Sequence, residues 1–315
     1  MYNIGIDLGG TNIAGGIVDS DGKLVHKKSI PTLHARGADT VITDIITLCK
    51  DLAQESSINF DQIKSIGIGC PGIVNPPDGI LIYATNLNFK DVSIGEKVSK
   101  VLNLPVYIEN DANCAALGES MFGAAKGSKH SVAVTLGTGV GGGIIIDGSI
   151  YSGPFFGAGE LGHHIIRIGG ELCGCGGMGC WEAYASATAL IRETVKEAKN
   201  NPNSIINRCV SGNLDKITAK TAFDAAAEGD ATAKEVVNNY LDHLCVGLSN
   251  IINLLQPEII VIGGGISGQG NTLITAIEDR VSETVLGGSL KTRFVIAQLG
   301  NDAGIVGAAM LGKDS

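Results

Sequence analysis

One pattern occurs twice in this chain and restricts its fold more than any other. A strand-like apolar run, a glycine turn and a second strand-like run open the sequence between residues 2 and 18. The same order returns between residues 131 and 146. Apolar runs of this length interrupted by glycine read as β-hairpins. Two of them, each followed by helical spacing, read as an internal duplication. The expectation is two related α/β domains around a cleft. The length agrees, because 315 residues exceed a comfortable single core and suit two domains of roughly 150 residues.

Between and after these openings the periodicities alternate. Strands are expected over 2–6, 13–18, 24–30, 65–69, 106–108, 131–136, 143–146 and 259–262. Val41, Ile42, Ile45, Ile46, Cys49, Leu52 and Ala53 follow helical spacing. Further helices are expected over about 111–121, 181–199, 218–228 and 230–255. The polar stretch 200–215 reads as a surface loop.

Composition removes several classes of function. Hydrophobic residues at 44% and charged residues at 17% supply ample core and exclude a disordered chain. The net charge of −9 and the absence of a Lys/Arg cluster argue against nucleic acid as a partner. No run of about 18 apolar residues predicts a membrane span. No basic and apolar leader precedes Ile4, so a cytoplasmic location is expected.

Glycine loops stand where phosphates could be held. Asp7-Leu-Gly9-Gly10-Thr11-Asn12 lies between two expected strands. Its glycines are expected to take positive φ and to let backbone amides approach phosphate oxygens, with the Thr11 hydroxyl as a further donor. Asp7 could hold Mg2+. Residues 137–143 contain five glycines in seven positions, with Gly137, Thr138, Gly139 and Gly141 as the candidates for nucleotide contact. Gly263-Gly264-Gly265 follows an apolar strand and forms a third candidate. None carries the Lys of a P-loop, and no GxGxxG opens a helix after the first strand. Three such loops favour ATP as the ligand.

Asn110, Asp111 and Asn113 follow a strand and open a helix. Carboxyl ends of strands in open α/β sheets are where ligands bind, and a carboxylate there can take a proton from an attacking hydroxyl. Asp111 could equally cap the helix. Further on, Cys173, Cys175 and Cys180 fall within eight residues and are separated mostly by glycine. With His163 or His164 they would complete a Cys3His set, which is closed and structural rather than catalytic for zinc. Glu160 and Glu182 flank the cluster.

Together these residues resemble the ROK family (repressors, uncharacterised open reading frames and sugar kinases). The most specific part is Glu160-Leu-Gly-His163 followed by Cys173-Gly-Cys175-Gly-Gly-Met-Gly-Cys180-Trp-Glu182. The resemblance implies an actin-like ATPase (ribonuclease H-like) fold whose last helix, about 304–311, returns to the N-terminal domain. The domains are then 1–120 with about 300–315, and about 121–299 carrying the zinc loop at 163–180. It implies His163 rather than His164 as the zinc ligand, through its place ten residues before Cys173. It also implies Asp111 as general base and Asn110, Glu160, His163 and Glu182 as sugar contacts, with Gly72 and Asn86 closing on the sugar. The activity implied is ATP- and Mg2+-dependent phosphorylation of a hexose by a homodimer, glucose leading, with N-acetylmannosamine, fructose and allose as alternatives. A repressor of this family needs an added DNA-binding domain, for which the strand starting at Tyr2 leaves no room ahead of it.

Overall fold

The computed structural model describes residues 1–287 and 291–313. In chain order the elements begin with β1 (Tyr2–Leu8), β2 (Asn12–Asp19), β3 (Leu24–Pro31), α1 (Ala38–Ser56), β4 (Ile63–Cys70), β5 (Ile73–Asn75), β6 (Ile80–Ala84) and β7 (Phe89–Val92). There follow α2 (Ile94–Leu102), β8 (Val106–Asn110), α3 (Asp111–Phe122), β9 (Ser131–Leu136), β10 (Val140–Ile146), β11 (Ser149–Ile150), α4 (Glu182–Ala185) and α5 (Ala187–Asn200). The last are α6 (Ile205–Cys209), α7 (Ala219–Ala227), α8 (Ala231–Leu255), β12 (Ile259–Gly263), α9 (Asn271–Thr284), β13 (Arg293–Ile296) and α10 (Ala303–Ala309).

The chain divides into two compact units. The first comprises Met1–Ala133, Gly143–Gly159 and the described residues from Gln298 onward. Its main sheet has the order β3-β2-β1-β4-β8, with β1, β4 and β8 parallel and the β1-β2-β3 edge antiparallel. Isoleucines fill the parallel strands, and Ile4, Ile6, Ile66, Ile68 and Ile108 are all buried, as expected of a sheet covered on both faces. The stripe Val41, Ile42, Ile45, Leu48, Cys49, Leu52 and Ala53 buries one side of α1. Helix α10 comes into direct backbone contact with β1 and β4, because Gly5 and Gly67 have no Cβ to strike the carbonyls of Ile305 and Ala308. Buried Glu119 fastens the approach to that helix, its carboxylate accepting the amides of Gln298 (3.1 Å), Leu299 (2.7 Å) and Ala124 (2.8 Å).

The second unit comprises Val134–Gly142 and Glu160–Ala297. Parallel strands β12 and β13 belong to a sheet of order β11-β10-β9-β12-β13. Helix α8 presents Val236, Tyr240, Leu244, Leu248, Ile251 and Ile252 as its buried stripe. By contrast, residues 160–181 carry only a short 3-10 turn, Leu161–His163, and two isolated bridges, Ile165 with Cys180 and Leu172 with Met178.

Several expectations are corrected. The helix expected over 181–199 is two helices, because Ser186 is extended (φ −77°, ψ 162°) and its hydroxyl caps α5 at Ala189 N (3.1 Å). The loop expected over 200–215 contains α6, anchored from a distance by Asp230, which accepts from Ser204 Oγ (3.0 Å) and Ile205 N (2.7 Å). The second glycine turn is shorter than 137–143, since β10 already begins at Val140. Strands β5, β6, β7, β11 and β13 and helices α2 and α9 were not among the elements expected from the sequence. None of the described helices is long and apolar enough to cross a membrane.

Candidate active site

In the first unit the strand register sets the site. Asp7 of β1 pairs with Gly69 of β4, Gly69 pairs with Glu109 of β8, and Cys70 pairs with Asn110. The carboxyl ends of three parallel strands are therefore level, the place where open α/β sheets bind ligands. Cys70, at the end of β4, is buried. Burial first, and then the charges of Asp111, Asp7 and Glu109, push its thiol far above the ordinary value. Burial also raises the pKa of Asp7, partly offset by Lys27, and that of Glu109, offset by the Asn110 amide and the Asn113 side chain.

The loop after β1 is held by its own backbone and one neighbour. Gly9 N donates to Asn12 O (3.0 Å), Thr32 Oγ1 to Gly9 O (2.6 Å) and Thr32 N to Thr11 O (2.9 Å). Neither Gly9 nor Gly10 has positive φ, which corrects the hairpin expectation. Gly9 is required for close packing instead, since a Cβ there would stand 2.8 Å from Asn12 O. Asn86 lies against Gly10, with its Nδ2 3.6 Å from where a Cβ would be. Thr11 and Asn12 are exposed.

Asn110 caps α3, its Oδ1 accepting from Ala112 N (2.9 Å) and Asn113 N (3.1 Å). Its Nδ2 donates to Gly72 O (3.0 Å) and so draws the Gly72 turn to the end of β8. The cap is thus Asn110, and Asp111 is the first helical residue. There the positive end of the helix favours a carboxylate, and Asp111 Oδ1 accepts from Ala112 N (2.8 Å). Glu109 braces this turn, its Oε1 accepting from Asn110 N (2.8 Å) and Asn113 Nδ2 (3.1 Å). Neither Glu109 nor Thr32 was singled out in the sequence. A glutamate ending an apolar strand was the available signal for the first.

In the second unit the glycine turn is tied to α4 and α5. Gly137 N donates to Gly139 O (3.0 Å), Ala187 N to Gly137 O (2.8 Å) and Thr188 Oγ1 to Thr138 O (2.7 Å). A Cβ on Gly139 would run into the Glu182 carboxylate, whereas one on Gly137 meets nothing within 4 Å. Gly141 lies within β10. Gly264 (φ 81°) packs on the backbone of Leu136, where a side chain would be strained and obstructed, and Gly265 starts the following 3-10 turn.

The ligand atoms of His163, Cys173, Cys175 and Cys180 all lie within 4.8 Å of one another. Cys173 Sγ is 3.7 Å from His163 Nδ1, and Cys175 Sγ is 3.7 Å from Cys180 Sγ. Bond lengths to zinc of about 2.3 Å for sulfur and 2.0–2.1 Å for nitrogen put tetrahedron edges at roughly 3.5–3.8 Å, so the set fits zinc. His164 is not part of it. Its Nδ1 bonds Leu161 O (2.5 Å), its ring lies against Trp181, and its Nε2 is buried without a partner among the described residues. Glu160 is exposed and precedes the turn that bears His163. Glu182 opens α4, with Oε2 accepting from Val140 N (3.0 Å) and Oε1 from Cys173 Sγ (3.4 Å).

Residues 3–315 match the ROK family. The chain is 36% identical over 313 residues to a glucokinase of Thermotoga maritima, covering 99% of this chain and 97% of that one. It is 39% identical over 321 residues to a glucokinase of Halalkalibacterium halodurans, covering 99% and 95%. The crystal structure of a ROK family glucokinase from Streptomyces griseus in complex with glucose and AMPPNP superposes with a TM-score of 0.83 at 33% identity, covering all of both chains. The architecture is that of the actin-like ATPases. With the match running from end to end, this chain belongs to the ROK family.

Proposed function

We propose that this protein is an ATP-dependent hexose kinase that phosphorylates glucose. The observation that carries the reading is Asp111, set at the end of a parallel strand and the start of a helix, next to Asn110 and among buried carboxylates. The names of the relatives, glucokinases over nearly their full lengths, supply the substrate.

In this reading Asp111 accepts the proton of a sugar hydroxyl as that oxygen bonds to the γ-phosphorus of ATP. The bond from that phosphorus to the bridging oxygen breaks, ADP leaves, and the proton passes from Asp111 to water. The residues contribute mainly alignment and charge placement. Asn110, Gly72 and Asn86 belong to the sugar side in the first unit, and Glu160, His163 and Glu182 are the sugar contacts assigned in the second. Backbone amides of Gly10 and Gly139 serve the phosphates, with Gly9 and Gly137, whose own amides close the two turns, and Thr11, Asn12, Thr138, Gly141, Gly264 and Gly265 completing the nucleotide loops. Mg2+, when bound, supplies positive charge to the phosphates, and Asp7 fits it because burial leaves its carboxylate short of compensating charge.

His163, Cys173, Cys175 and Cys180 hold one structural zinc ion, whose role is to fix a loop that has little secondary structure of its own. With Nδ1 facing the cluster, His163 Nε2 is left for a sugar hydroxyl. Initial rates of ADP release over glucose, N-acetylmannosamine, fructose and allose test the reading. The highest kcat/KM is expected for glucose. A higher value for another hexose would move the substrate, and no sugar-dependent release from any of them would end the kinase reading.

A further inference from the structure

Glu182 makes two contacts that a sugar-binding role does not require. One carboxylate oxygen receives the Val140 amide at 3.0 Å, immediately after the glycine turn. The other lies 3.4 Å from Cys173 Sγ, a hydrogen bond that only the metal-free thiol donates. With metal bound, the tie to the Cys3His cluster is the chain itself, since Glu182 follows Cys180 by two residues. Gly139 lacks a side chain exactly where the carboxylate lies against the turn. The rest of the turn is fastened to the start of the next helix, α5, through Ala187 N to Gly137 O and Thr188 Oγ1 to Thr138 O. The three Cys of the cluster are more than 30 residues from the turn in sequence, and Glu182 contacts both.

We infer that Glu182 is a positioning residue that couples the metal loop to the nucleotide turn, so that metal occupancy sets nucleotide affinity as well as the order of the loop. The inference rests on the proposal that the turn at 137–139 serves the phosphates. The physical basis is that the turn has few holds of its own. Without a carboxylate at 182, Val140 N loses a charged acceptor and the space beside Gly139 empties. Without a metal, Cys180 and the start of α4 that follows it lose the anchor that keeps the carboxylate in place. Glutamine keeps an oxygen for Val140 N and has a similar shape, whereas alanine keeps neither.

The test is calorimetric titration of AMPPNP with Mg2+ and no sugar present, which removes any sugar contact of Glu182 from the readout. Zinc content is measured on the same samples. Glu182→Ala is expected to retain zinc and to bind AMPPNP about ten-fold or more weakly, the loss of a hydrogen bond to a charged group. Glu182→Gln is expected to stay within about three-fold of wild type. Stripping zinc from the wild type should weaken AMPPNP binding, and stripping it from Glu182→Ala should add little, because both remove one coupled unit. Wild-type affinity in zinc-loaded Glu182→Ala, or equal losses on stripping both proteins, would overturn the coupling. Should Glu182→Ala fail to fold, the stripped wild type decides, and unchanged AMPPNP affinity there overturns the inference. A wild-type protein that binds no nucleotide would refute the kinase reading instead.

Discussion

The two units hold their candidate site residues by different means. In the first, the loop at 9–12 and the entrance to α3 are extensions of a parallel sheet, held by strand register, backbone hydrogen bonds and an Asn110 cap. In the second, the turn at 137–139 and the loop at 160–181 have scattered backbone hydrogen bonds but also rely on side chains: one carboxylate, the Thr188 hydroxyl, three thiols and an imidazole. A site built on a main-chain ladder keeps its shape when a functional side chain is changed. A site built from side chains loses position and chemistry together. Substitutions in the first unit should therefore separate catalysis from binding, and those in the second should not.

Asp111→Asn should give the largest effect and the cleanest separation. General-base assistance is worth about 10²–10⁴-fold, so kcat should fall by at least that range while AMPPNP affinity and thermal stability stay near wild type. Retention of more than about a tenth of wild-type kcat would remove Asp111 from the role of base. Cys175→Ser should show the opposite character. Replacing one thiolate with a hydroxyl should cost the zinc, lower the melting temperature by roughly 5 °C or more, and weaken sugar and nucleotide binding together. Metal analysis and a thermal melt on one preparation check this. A zinc-free variant with full stability and affinity would mean that the loop folds without its side-chain anchor.

Two glycines sharpen the contrast within the second unit. Gly139→Val must displace Glu182, so it should weaken nucleotide binding and lower stability. At Gly137 a Cβ meets nothing within 4 Å, so Gly137→Val should weaken nucleotide binding with stability kept. Identical behaviour of the two would show that Glu182 does not hold the turn.

The smallest expected effect lies in the first unit. Burial raises the pKa of Asp7 above its ordinary 3.8. The folded state then binds more protons than the unfolded state between the two values, so this group's contribution to stability is present below the ordinary value and is lost as pH rises through the raised one. Asp7→Asn should flatten that loss and slightly raise the melting temperature at neutral pH, while weakening the Mg2+-dependent part of AMPPNP binding. Parallel melting curves for both proteins from pH 4 to 8 would contradict the burial argument.

The strands and long helices were legible because their apolar periods are long and unbroken, as in β1, β4, α1 and α8. The break at Ser186 and helix α6 were not, because one is decided by a cap and the other by Asp230 reaching across from another element. The three Cys announced their cluster by spacing, His163 rather than His164 came from the family resemblance, and the structure brings these four together. Thr32 and the contact of Glu182 with Val140 were invisible, since each depends on pairing between distant segments, whereas Glu109 left a signal as a glutamate near the end of an apolar strand. The reason for Gly9 was also misjudged: contact with Asn12 O, not positive φ, requires it.

The central claim is that ATP is spent on a sugar hydroxyl. The most direct measurement is phosphorus NMR of the wild-type protein incubated with ATP, Mg2+ and glucose, alongside a sample without sugar. Equimolar ADP and glucose 6-phosphate are predicted, with ADP formation near background when glucose is omitted. ADP formed equally in both samples, with no phosphorylated sugar, would contradict it.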